Sequence, residues 1–303
     1  MGKKILGISG GSTAGSGLIS ATNRILETDF NPNIICGVSY GSLVGLPIIL
    51  GKGKLVEEKT VNIKPKEFFR VIPMDKKGNL TIMGFIRLIL SFIFPVKYRS
   101  FGIQDVTSLI REFISEDEFY QYKKSELADF YVLAVDVESM SPILFDIKND
   151  ESINYEKYIK ILSASSRVPV WTQPQDIDGK FFYDGGVTDI NPTSEVIQML
   201  ILKGEKIDKV WSVYPFTKEY KHFGNLKNPK GILGSLFWTL ECYNKYCGIN
   251  NMNMEEILSY VHQFEYNRIE IPRYLNSLYV TGESLKNLSK IARAEADRVI
   301  KSL

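Results

Sequence analysis

Three cysteines and two histidines are all that this 303-residue chain offers of the side chains that staple small secreted domains or bind metals. Cys36, Cys242 and Cys247 are odd in number, so they do not make an extracellular disulfide framework and read as reduced thiols in a cytosolic setting. Neither they nor His222 and His262 fall at zinc-ligand spacing, and no metal or other cofactor is expected. Charge of one sign is also scarce. A formal net charge of +2 leaves nothing to pull a chain of this size onto nucleic acid. Long apolar runs are missing: the longest, Ile82 to Val96, contains Arg87 and is short for a membrane span. At the N-terminus Lys3 and Lys4 precede Ile5 and Leu6, but glycines and Ser9 interrupt before a signal-peptide core forms. Leu6 stands where N-myristoylation wants Ser or Thr. Repeats, low-complexity tracts and a Gly/Ser/Pro linker are absent too. The expectation is a cytoplasmic protein, with peripheral contact to an anionic membrane left open.

What is there is a core-forming composition, 44% hydrophobic and 24% charged, laid out as alternating strands and helices. Lys4 to Ile8 is a short apolar run that meets Gly10 and Gly11, and Leu18 to Leu26 carries apolar residues at helical spacing. Asn33 to Val38 is a second strand, and Leu43 to Leu50 lies in a helix whose register survives Pro47 only with a kink. Further strands are expected at Phe130 to Val137, with an antiparallel partner at Ile143 to Ile147, and at Lys180 to Tyr183 and Lys209 to Val213. Helices are expected at Tyr155 to Ser163, near Thr193 to Leu202, and onward to the C-terminus. The alternation predicts an α/β fold, a mostly parallel sheet with helices on both faces. A single domain over residues 1–303, with a cap or insertion at about 52–125, is the simplest account.

Three short motifs carry chemistry. Gly37-Val38-Ser39-Tyr40-Gly41 is a G-x-S-x-G sequence between a strand and a helix, where glycines permit a tight turn that lifts the serine hydroxyl above the sheet. Standing alone it is equally an ordinary Gly-rich turn. Gly10-Gly11-Ser12-Thr13-Ala14-Gly15 follows the first strand, and its N–H groups can face an oxyanion. A nucleotide-phosphate loop is the competing reading, but no G-K-[ST] follows it. Asp184-Gly185-Gly186 ends a strand, and its carboxylate is either a base for a serine or a local turn acceptor. Ser39, Asp184 and His222 also stand in the chain order of a Ser-His-Asp triad. Only one strand precedes the strand leading to Ser39, and His222 sits in the polar stretch Lys218-Glu219-Tyr220-Lys221, so His222 reads as a surface residue, as does His262.

Together these residues resemble the patatin-like phospholipase family. The resemblance includes Ala164-Ser165-Ser166-Arg167-Val168-Pro169, similar to the family's Ala-Ser-x-x-x-Pro element, and Asn191-Pro192, similar to its Asn-Pro ending. It implies a three-layer α/β/α fold, a Ser39 nucleophile with Asp184 as its base, and an oxyanion hole from backbone N–H groups around Gly10, Gly11 and Ser12. The implied activity is hydrolysis of fatty acyl esters, phospholipids among them, through an acyl-enzyme and without a metal. The sequence departs from the family at Ser12, where a third glycine is usual, at Ala14, where a basic residue is, and at Ile190, where Asn is common. Two other readings stand beside it: an esterase or thioesterase on small acyl groups, and a non-catalytic scaffold of the same fold.

One segment asks for a role of its own. Between Val61 and Ser100 lie Lys64, Lys66, Arg70, Lys76, Lys77, Arg87, Lys97 and Arg99, opposed only by Glu67 and Asp75, so the window carries eight minus two, or +6. Within it Thr81 to Phe94 reads as a helix with Thr81, Gly84, Arg87 and Ser91 on one narrow stripe and apolar residues around the rest. Such a helix is expected to bury most of its circumference, as a cap over the site or against lipid.

Overall fold

The computed structural model describes residues 2–11, 15–63, 81–93, 106–169, 172–218, 231–272 and 282–303. The chain opens as β1 (Lys3–Ile8), α1 (Gly15–Leu26), β2 (Ile34–Val38), α2 (Tyr40–Ile49) and α3 (Gly53–Asn62). After α4 (Ile82–Ile93), α5 (Thr107–Phe113) and α6 (Glu116–Lys123) come β3 (Asp129–Asp136), β4 (Pro142–Asp146) and α7 (Tyr155–Ser165). Then follow β5 (Gln175–Ile177), β6 (Lys180–Asp184), α8 (Thr193–Leu202), β7 (Ile207–Tyr214), α9 (Gly231–His262), β8 (Glu265–Glu270) and α10 (Gly282–Lys301). One sheet runs β5-β6-β3-β2-β1-β7-β8, with β4 paired to β3 off this path. The pairings β1–β2, β1–β7, β2–β3 and β7–β8 are parallel, while β4 and β6 run antiparallel to β3. This is the mostly parallel α/β architecture the alternation predicts, and the antiparallel partner of β3 lies where it was expected.

Burial on both faces explains why the central strands are nearly all apolar. Every residue of β2, Ile-Ile-Cys-Gly-Val, is buried. On one face Leu6, Ile8, Ile35, Val132, Ala134, Trp211, Val213 and Ile269 join a large core with α1, α2, α7 and α10. On the other, Ile5, Ile34, Cys36, Tyr131 and Val210 pack against Val196, Ile197 and Leu200 of α8. Those two faces make the three layers. Local signals set the helix starts: Ser115 and Glu118 form a reciprocal capping box at α6, and the Asn154 side chain accepts from the Lys157 N–H at α7. In α10 Leu285, Leu288, Ala292 and Ala296 recur every three or four residues and are buried.

One element departs from the sequence reading. The segment after Val213 was expected to be helical to the end, yet β8 adds an edge strand, Glu-Tyr-Asn-Arg-Ile-Glu. Its charges sit in ion pairs such as Lys209–Glu265 at 2.7 Å, as suits a strand with one unpaired edge. Val56 of α3 and Val106, Ile110, Phe113, Phe119 and Tyr122 of the α5–α6 region belong to the main core. Of residues 64–105 only 81–93 are described, and there α4 exposes Ile82, Met83, Phe85, Ile86, Ile89 and Ile93.

Candidate active site

The sheet register decides what can meet. Ile8 pairs with Gly37, and Val38 with Leu133. Ala134, the next residue of β3, pairs with Asp184. Gly10, Ser39 and Asp184 therefore stand at nearly the same level, just past the C-terminal ends of β1 and β2, where open parallel sheets hold their sites.

Ser39 occupies a strained position. Its φ of 54° and ψ of −121° lie outside the regions L-residues favour, a conformation worth about 1–3 kcal/mol of strain. The flanking glycines make the turn feasible. A Cβ on Gly37 would lie 2.4 Å from the Gly41 carbonyl oxygen, and one on Gly41 would lie 2.1 Å from that of Ile8. The turn is fixed from beneath by Ser165, whose Oγ accepts from the Ser39 N–H at 2.9 Å and donates to the Leu133 carbonyl at 2.7 Å. Directly after Ser39, α2 begins, so the positive end of its dipole lies beside this residue.

Asp184 is 3% exposed and ends β6. Its Oδ1 accepts from the Gly186 N–H at 2.8 Å, and the Ser39 side chain lies near enough to the same carboxylate to favour its charged form. Burial pushes its pKa up from 3.8 to about 7, and these two neighbours pull against that rise. A carboxyl with this affinity for a proton, beside a serine hydroxyl, can receive and return that proton near neutral pH. The structure thus brings Ser39 and Asp184 together as the motifs suggested.

The Gly-rich loop is only partly as expected. Gly10 lies against the site, since a Cβ there would be 3.1 Å from the Ser39 Cβ. Its N–H donates to the Ile190 carbonyl at 2.8 Å, and its lack of a side chain lets the loop approach Ser39. Gly11 N–H has no acceptor among the described residues. Ser12 lies outside the described residues. His222 does too, while His262 is exposed at the C-terminal end of α9.

Sequence reading gave no role to the residues that hold these parts in place. Besides Ser165, Asn191 is wholly buried and donates from Nδ2 to Ser9 Oγ at 3.0 Å, and Ser9 Oγ donates to the Val213 carbonyl at 2.7 Å. Asn191 Oδ1 accepts from Thr193 Oγ1 at 2.6 Å. The loop carrying Asp184 is therefore riveted to the loop carrying Gly10 and Gly11. A signal for Ser165 existed: it continues the buried stripe Tyr155, Tyr158, Leu162 of α7, and a serine on such a stripe needs a partner.

A buried acidic group lies behind this loop. Asp189 is buried beside Glu195, and burial followed by that neighbour drives its pKa well upward. Glu255 is wholly buried, accepts from the Tyr214 and Tyr266 hydroxyls at 2.8 and 2.5 Å, and is pushed by burial to about 7. Among the described residues no group of His, Cys, Asp or Glu is arranged to hold a metal ion. All three cysteines are free, and burial raises the Cys36 thiol far above its ordinary range.

Comparison with known families places residues 6–197 in a match to the patatin-like phospholipase model. Similar solved structures include VipD from Legionella pneumophila, with 11% identity, 99% of this chain and 67% of that one covered, and a TM-score of 0.49. The type III effector protein ExoU is similar at 10% identity, 99% and 53% coverage, and a TM-score of 0.47. This chain spans about half the length of that ExoU chain. Comparison with curated protein sequences finds no match.

Proposed function

The chain belongs to the patatin-like phospholipase family, and from that premise we propose that it hydrolyses fatty acyl esters of phospholipids through an acyl-enzyme on Ser39, with Asp184 as the base. At family level it is a lipid acyl hydrolase; the dyad and the phospholipid substrate are the finer reading. The observation that carries it is the proximity of a strained serine to a buried carboxyl held near neutrality.

In this mechanism Ser39 Oγ attacks the ester carbonyl carbon while its proton passes to Asp184. The oxyanion forms beside Gly11 and Ser12, whose N–H groups donate to it, and the N-terminus of α2 favours the same charge. Collapse breaks the acyl–oxygen bond, and the leaving alcohol takes the proton from Asp184. Water then attacks the acyl-enzyme, gives its proton to Asp184, and the released Ser39 recovers that proton as the fatty acid departs. His222 takes no part.

A fluorophosphonate probe should label the wild type but not Ser39→Ala, and incubation with mixed phospholipids should release free fatty acid. Release of acid from small esters or thioesters alone would move the substrate to the esterase reading. Failure of both labelling and hydrolysis would leave a scaffold. Loss of activity in His222→Ala, with activity kept in Asp184→Asn, would replace the dyad with a triad. No helix among the described residues is long and apolar enough to cross a membrane, so on this reading the enzyme meets its lipid from the aqueous side.

A further inference from the structure

We propose that α4 is the element by which this protein docks on an anionic lipid surface, seating its outer face among acyl chains; the inference rests on the lipid-hydrolase reading and supplies the contact that reading needs. The helix is inside out. Ile82, Met83, Phe85, Ile86, Ile89 and Ile93 are 82, 55, 53, 43, 42 and 59% exposed. At 100° per residue they fill one continuous arc of about 160°. Gly84, buried, and Arg87, half-buried, lie on the opposite side. A helix at the surface of a water-soluble domain has the reverse arrangement, with charge outward and apolar residues inward. Left in water, this arc would keep six large side chains from the burial that each of them favours.

The chemistry of the arc and of its flanks selects the occupant. The arc holds aliphatic side chains, one Met and one Phe, without the Trp, Tyr and Arg anchors that dominate protein interfaces. In the sequence around it, Lys64, Lys66, Arg70, Lys76, Lys77, Lys97 and Arg99 outnumber Glu67 and Asp75. An apolar helical face between cationic segments matches acyl chains below and anionic headgroups above. A partner made of protein would need no such excess of one sign.

The experiment uses Ser39→Ala protein, so that binding is read without hydrolysis. Co-sedimentation is measured with phosphatidylcholine vesicles and with phosphatidylcholine–phosphatidylserine vesicles, at low and high salt. Binding is expected to the mixed vesicles and to weaken at high salt. Phe85→Asp with Ile89→Asp should weaken it by roughly tenfold or more. Both positions are exposed, so circular dichroism and the melting temperature should stay unchanged. Equal vesicle binding with and without the two aspartates overturns the proposal. So does an absence of binding by the parent, or a dimer that the two aspartates dissociate, since the arc would then be covered by a second copy. A protein that binds vesicles through α4 but hydrolyses no ester leaves this inference standing while the lipid-hydrolase reading falls; one that hydrolyses esters but ignores vesicles does the opposite.

Discussion

Replacing Asp184 by asparagine should make the protein more stable around pH 8 while removing its activity. The carboxyl has a pKa of about 7 in the fold against an ordinary 3.8, because burial disfavours its charged form more than the Ser39 hydroxyl and the Gly186 N–H favour it. Between those two values the unfolded chain has released the proton and the folded one has kept it. Stability is therefore fully present below the unfolded pKa, falls as pH rises toward about 7, and levels off above it. At 1.36 kcal/mol per pH unit, a gap of roughly three units makes the ionised carboxylate a burden of about 4 kcal/mol. Asparagine keeps an oxygen for the Gly186 N–H but brings an amide NH2 that needs an acceptor, so the net gain should be roughly 1–3 kcal/mol. Chemical denaturation of both proteins from about pH 4 to pH 9 measures it, and shared contributions from Asp189 and Glu255 cancel in the difference. The advantage of the variant should vanish near pH 4. For the proposed base the same titration runs the other way: wild-type kcat/KM should fall tenfold per pH unit below about 7. Asp184→Asn should lower it by about a thousandfold or more. A variant no more stable than wild type around pH 8 refutes the assignment of a desolvated carboxyl at this site.

Ser165→Ala removes the acceptor of the Ser39 N–H; kcat and the rate of fluorophosphonate labelling should drop by about tenfold or more with KM little changed. Gly41→Ala places a Cβ where the Ile8 carbonyl oxygen lies 2.1 Å away; denaturation should show a loss of about 2–4 kcal/mol, and activity should go with it. Gly11→Val should lower turnover severely through the geometry of the loop, and unchanged kinetics in a folded variant would remove that loop from the site. Glu255→Gln should flatten the wild-type decline in stability between about pH 5 and pH 7, because burial holds Glu255 neutral up to about 7 in the fold.

The central strands were legible because burial on both faces demands uninterrupted apolar runs, and β2 and β3 supply them. α8 was legible to the residue, from Thr193 to Leu202, because its apolar period is regular and Pro192 marks its start. β8 was not. In this edge strand Glu265, Arg268 and Glu270 interrupt the apolar residues, Glu265 pairing across to Lys209 of β7 and Arg268 with Glu270 of the same strand, so little apolar pattern is left to read. The pairing of Ser39 with Asp184 was legible from motifs that mark sharp turns at strand ends. The bond from the Gly10 N–H was not legible, as an identity that permits close approach does not reveal where its N–H points; Ile190, which receives it, is 180 residues away. For the same reason the motif marked Asn191 without showing its bond to Ser9, which lies 182 residues away. The outward turn of α4 was not legible either, since it departs from the rule that apolar faces go inward.

The riveting of the Asp184 loop to Ser9 and Gly10 bears on the order of events during synthesis. Gly11, Ser39 and Asp184 all lie before residue 197, where the family match ends. The strand that seats β1 from its other side is β7, and Ser9 is anchored to Val213 of that strand by its N–H at 3.2 Å and by its hydroxyl. A nascent chain thus carries Gly11, Ser39 and Asp184 before β7 has been made. Contacts that span some 200 residues close late, after the local helices have formed. Until β7 has left the ribosome, β1 has an open edge, and the serine is present without the frame that orients its surroundings. The last third of the given sequence thus supplies the strand that completes the surroundings of β1 and Ser9.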